Sequence, residues 1–158
     1  MDIIDNLKKD GMLLKKVPKK EQTVEYCKLA IKQNPLALRY ASIRCINSKI
    51  CFSAVKKDVR AFRFVPEKFV TRAMCRVAVE TSPKLLSIVP DSFKSKNICL
   101  SALKKDVSVT DYIPEDKRYE MFDNNIEIDL IKKVKYEKML RIIHMILVTI
   151  ISVTFMSQ

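Results

Sequence analysis

Apolar residues along the chain fall into two interleaved patterns, and the pair of patterns recurs every 24 residues. Around the stretch Thr71–Pro90 the first pattern is Met74, Cys75, Ala78 and Val79. Residues spaced in this way share one face at 3.6 residues per turn. Tyr26, Cys27, Ala30 and Ile31 fill the same places, as do Ile50, Cys51, Ala54 and Val55, and Ile98, Cys99, Ala102 and Leu103. This predicts a longer helix in each unit, from about Arg72 to about Glu80 in the central one. The second pattern predicts a shorter helix from about Pro83 to about Ile88. Its apolar face reads Leu14, Leu38, Phe62 and Leu86, then Tyr40, Phe64, Ile88 and Tyr112, then Val17, Ala41, Val65, Val89 and Ile113.

Polar residues punctuate these patterns on the same period. Thr23, Asn47, Thr71 and Ser95 precede the longer helices, and Asp10, Asn34, Asp58, Ser82 and Asp106 precede the shorter ones. All are residues whose side-chain oxygen accepts from a free N–H at a helix start. Pro35 and Pro83 follow two of them, where a missing N–H costs nothing. Pro18, Pro66, Pro90 and Pro114 stand one period apart with Ser42 in the gap, and each Pro biases the preceding residue away from the helical region.

Units beginning at Ile3, Cys27, Cys51, Cys75 and Cys99 align without gaps. The expected fold class is all-α, a solenoid of about five 24-residue helix-pair repeats over residues 1–118, each unit burying its apolar face against its neighbours. The first unit, with Ile3 for Cys and Asn6 for Ala, suits an end cap. Residues 119–141 are expected to form a basic amphipathic helix or connector, and 142–158 a hydrophobic tail that includes Ile142, Leu147, Ile151 and Phe155. Three readings of the tail stand open: a C-terminal membrane anchor flanked by Lys and Arg, a helix capping the last repeat, or part of a partner interface.

The single Gly in 158 residues argues against phosphate-binding loops and dinucleotide folds, which need Gly at special backbone angles. Net charge is +12, and residues 1–113 hold all of the excess, with 23 Lys+Arg against 11 Asp+Glu. A basic surface of this size favours an acidic protein, nucleic acid or an anionic membrane face. Five Cys is an odd number, and the N-terminus lacks an apolar leader. A reducing, cytoplasmic or cytoplasm-facing location is therefore expected, with the Cys column packed in the core and Cys45 outside that column and exposed. No Cys-x-x-Cys or Cys-x-x-His pair occurs, and His144, the only His, is flanked by aliphatic residues. No cofactor, metal or enzymatic activity is expected. The candidate binding edge is the row of cations recurring near the ends of the longer helices: Lys8, Lys9, Lys32, Lys56, Lys57, Lys104 and Lys105, with Arg39 and Arg63 in neighbouring columns. The same row is what a helix macrodipole favours at any helix C-terminus.

Ala54, Val55, Lys56 and Asp58 with Val65-Pro66-Glu67 resemble the repeat of a bacterial, protist and large-virus family called domain of unknown function 4116. That repeat looks like Ala-Val-Lys-x-[Asp/Asn]-Gly-x-x-Leu-x-x-Val-Pro-Glu. Ala102, Lys104, Asp106 and Ile113-Pro114-Glu115 match it again, as do Asp10-Gly11, Leu14 and Val17-Pro18. The family's Gly remains only as Gly11, which leaves the turn into the short helix to Pro or Val elsewhere. The resemblance implies a helical repeat module used for interactions and carries over no functional residue. The expected function is a non-enzymatic protein-binding scaffold or adaptor, tethered to a membrane if the anchor reading of the tail holds. The alternative is sequence-tolerant nucleic-acid binding along the Lys/Arg edge.

Overall fold

A computed structural model of the chain describes residues 3–122 together with 143 and 144. These residues are all-α, with no strand among them. Within residues 3–122 there are six α-helices: α1 (Ile3–Lys9), α2 (Val24–Gln33), α3 (Ser48–Lys57), α4 (Arg72–Thr81), α5 (Lys96–Lys105) and α6 (Glu115–Phe122). From α2 to α5 each begins 24 residues after the last and is ten residues long.

The caps explain these boundaries. Thr23, Asn47 and Thr71 accept through their side chains from the N–H groups of Tyr26, Ile50 and Met74 at 3.2, 3.0 and 3.3 Å. Ser95 occupies the same position before α5 without a side-chain bond. At the other end one residue serves two helices. Asn34, Asp58 and Asp106 donate their backbone N–H to the carbonyls of Ala30, Ala54 and Ala102, closing the α-helix. Their side chains accept from the N–H groups of Leu36, Arg60 and Ser108 at 3.0, 2.9 and 2.9 Å, opening the next helix. Asp10 does the same for Met12, whereas Ser82 makes only the backbone half of this arrangement.

The second helix of each unit is a six-residue 3-10 helix: Gly11–Lys16, Pro35–Tyr40, Val59–Phe64, Pro83–Ile88 and Val107–Tyr112. This corrects the expected apolar face. At three residues per turn, residues i and i+3 lie above one another. Leu86 and Val89, or Leu38 and Ala41, are therefore buried together. The residue two places on falls a third of a turn away, so Ile88 and Tyr112 are exposed, at 43% and 41%, while Tyr40 and Phe64 in the same column are half-buried against the core. The buried place on the other side belongs to Ala37, Ala61, Leu85 and Val109. Each six-residue 3-10 helix between α2 and α5 packs against its own α-helix, the following α-helix and at least one neighbouring 3-10 helix, so it is covered on two sides.

The residue before each Pro is extended, as at Val65 (φ −73°, ψ 119°) and Val89 (φ −71°, ψ 128°), which ends the 3-10 helix. A third element, absent from the two-helix reading, follows: single 3-10 turns at Ile43–Cys45, Glu67–Phe69 and Asp91–Phe93. Helix α6 starts at Glu115, the same register one unit later. These turns bury residues of the linkers. Cys45, expected at the surface, is buried, and its thiol donates to the Gln22 carbonyl at 3.0 Å. Phe69 and Phe93 occupy its place in later units and pack against the core. No helix among the described residues is long and apolar enough to cross a membrane. Ile142, Leu147, Ile151 and Phe155, expected in the hydrophobic tail, lie outside the described residues; Ile143 and His144 are helical and exposed.

Candidate binding surface

The longer α-helices form one row and the 3-10 helices another, with a continuous apolar core between them. Five buried thiols line that core. Removal from water pushes Cys27, Cys51, Cys75 and Cys99 up to about 11, and for Cys27 the neighbouring Cys45 adds to the effect. A thiol held in this way is a packing group rather than a nucleophile. All five Cys are free, and no group of metal-ligating side chains occurs among the described residues.

These thiols make stability depend on pH. Above about pH 9 an unfolded chain gives up thiol protons that the native state retains, so unfolding is favoured as pH rises. The urea midpoint should fall between pH 8 and pH 10.5, and native iodoacetamide labelling at pH 8 should be far slower than labelling in 8 M urea. Labelling at equal rates would contradict the buried arrangement.

The paired cations near the helix ends have two different surroundings. In the pairs that end α3 and α5, the second member reaches back to the preceding α-helix. Lys57 Nζ donates to the carbonyls of Lys32 and Gln33 at 2.6 and 3.3 Å, and Lys105 Nζ donates to the carbonyl of Glu80. Gln33 performs the same service without charge, donating to the Lys9 carbonyl at 3.1 Å and accepting from the Gly11 N–H at 2.8 Å. These bonds satisfy carbonyls that a helix C-terminus leaves without intrahelical partners. Thr81, in the same register, instead bonds within its own helix to the Val77 carbonyl. In the linkers Arg44 donates to the carbonyls of Lys19 and Lys20. The recurrence of these donors thus has a structural cause.

The first members, Lys32, Lys56 and Lys104, are exposed along the α-helical row, with Lys56 lying over the Phe52 ring. Lys8 and Lys9 are exposed at the end of α1, where Lys8 pairs with Asp5 at 3.4 Å. Arg39 and Arg63 sit on the other row, where the Arg39 guanidinium lies 5.9 Å from the Tyr40 ring and 5.7 Å from the Phe64 ring. The two sets of cations therefore face different parts of the surface.

Lys28, Lys49, Arg72 and Arg76 escaped the sequence reading. They border grooves between successive α-helices. Between α2 and α3 lies a groove of about 450 Å³, with Lys28, Lys32 and Lys49 on its rim and Leu29, Ile31 and Ile50 below. Between α4 and α5 lies another of about 520 Å³, bordered by Arg72, Arg76 and Asn97 with Ala73 and Ile98. Their columns change from unit to unit (Lys28, Phe52, Arg76, Leu100), so periodicity does not draw the eye to them. The available signal was the reverse of periodicity: exposed positions that vary on a constant frame.

No curated protein and no solved structure matches the chain. Residues 23–70, which run from the cap of α2 to the end of the Glu67–Phe69 turn, match the sequence model of a domain of unknown function (DUF4116), the family that the repeated motif resembles.

Proposed function

We propose that the chain is an α-solenoid of 24-residue units and acts as a non-enzymatic module that binds a protein partner through its α-helical row. The observation that carries this reading is the composition of the interhelical grooves, which pair an apolar bed with a cationic rim. An interface needs buried apolar contact for affinity, and charge at its margin steers and orients the partner. Helices α2–α5 contain ten cations and two carboxylates, Glu25 and Glu80, so the favoured partner surface is acidic. The unit-to-unit hydrogen bonds of Gln33, Arg44, Lys57 and Lys105 support a stack in which each unit is fastened to the one before it.

A second reading, sequence-tolerant nucleic-acid binding, draws on the net charge and on Arg39 lying near two aromatic rings. Salt separates the two, because phosphate contacts lose affinity steeply as counterions compete. Affinity capture with the full chain, followed by nuclease treatment and a 0.5 M salt wash, should leave a protein partner bound. Loss of all captured material under those conditions, with salt-dependent binding of a single-stranded 30-mer in its place, would establish the second reading instead.

A further inference from the structure

We infer that the groove between α2 and α3 is a docking site for an acidic peptide segment that inserts one large apolar side chain. This rests on the protein-binding reading above and names the chemistry of the partner.

Three features converge there. The first is volume: about 450 Å³ of open space lies between the two helices, enough for a side chain of leucine or phenylalanine size with adjoining backbone. The second is the bed, made of buried Ile31 and Ile50 with half-buried Leu29, which offers apolar contact at its base. Ser53, small and exposed, leaves the α3 wall low. The third is charge. Lys28 and Lys32 stand on the α2 side and Lys49 on the α3 side, all exposed. The two helices together contain five cations and a single carboxylate, Glu25 in the first turn of α2. Lys57 is committed to the carbonyls of Lys32 and Gln33, so it fastens the two helices at one end. The groove is thus held open by the packing of the units rather than formed on binding. A basic or neutral segment would leave three ammonium groups facing it without partners. An acidic segment without an apolar side chain would leave the bed unfilled.

The test is selection from a random 12-residue peptide display library on the full chain. Selected peptides should be net negative and contain at least one large apolar residue, and replacement of that residue by Ala should weaken binding at least tenfold. Lys28→Glu/Lys49→Glu should lose binding at least tenfold with an unchanged melting temperature, while Lys28→Arg/Lys49→Arg should retain it. Basic or purely polar selected peptides, or binding indifferent to Lys28→Glu/Lys49→Glu, would overturn the proposal. If hydrogen exchange then maps the peptides to another face, the groove assignment falls and the protein-binding reading stands. Failure to select any peptide, alongside tight oligonucleotide binding, would remove both.

Discussion

Replacing Gln22 by Ile should cost about 3 kcal/mol of stability, and adding Ser42→Pro should restore about 1–2 kcal/mol of it. Gln22 is buried, and its amide satisfies backbone groups from two units. Its Nε2 donates to the carbonyls of Val17 and Tyr40 at 3.1 and 3.0 Å, and its Oε1 accepts from the Ser42 N–H at 2.7 Å. Ser42 stands where neighbouring units have Pro, and Pro has no N–H to satisfy. Twenty residues before Pro66 and Pro90 the chain has Ile46 and Val70, whereas twenty before Ser42 it has Gln22. The exchange is coupled in two of the three Pro units, a polar hub where the backbone donor exists and an apolar residue where it does not; twenty residues before Pro114 stands buried Lys94, paired with Asp91 at 2.8 Å. Ser42 already has φ −70° and Ala41 is extended, so Pro fits position 42 without strain. The single Gln22→Ile change leaves a buried donor and two carbonyls without these bonds, each worth about 1–3 kcal/mol. The second change removes the donor. Urea unfolding of the two single variants and the double variant measures the coupling; additive losses would show that the hub does not compensate for the missing Pro.

Gly11→Val, which gives the first unit the residue found at Val59 and Val107, should lower stability by about 1–3 kcal/mol, as overpacking of a close contact does. Hydrogen exchange should locate the loss in residues 3–17. A Cβ at Gly11 would lie 2.2 Å from the Ala30 carbonyl oxygen and 3.0 Å from its carbon, both backbone atoms that cannot swing aside. The cause is closeness, not turn geometry, since no described residue, Gly11 included, has a positive φ. The Gly11 N–H is also tied to Gln33 Oε1, which holds α2 against this turn. An unchanged urea midpoint with native protection of α1 would refute this account.

The cysteine column and the small residues around it were legible because the same burial problem is solved four times with the same side chains. The caps were legible because Thr, Asn and Asp at a helix start act through their own oxygens on N–H groups two or three residues away. Cys45 was misjudged because its surroundings come from a turn that no local pattern announces, and only its alignment with Phe69 and Phe93 hinted at burial. The lysine pairs show the converse problem. Sequence displayed their recurrence but not that Lys57 and Lys105 reach carbonyls 24 or 25 residues back.

By itself the sequence determined the helical character, the period, the caps and most of the buried face, since these depend on interactions within a turn or two of chain. The choice of 3-10 over α geometry for the short helices, the hub at Gln22 and the intolerance at Gly11 were decided by tertiary structure. The grooves belong with them: Lys28 and Lys49 are 21 residues apart, and only the packing of α2 beside α3 sets their ammonium groups on the rim of one cavity.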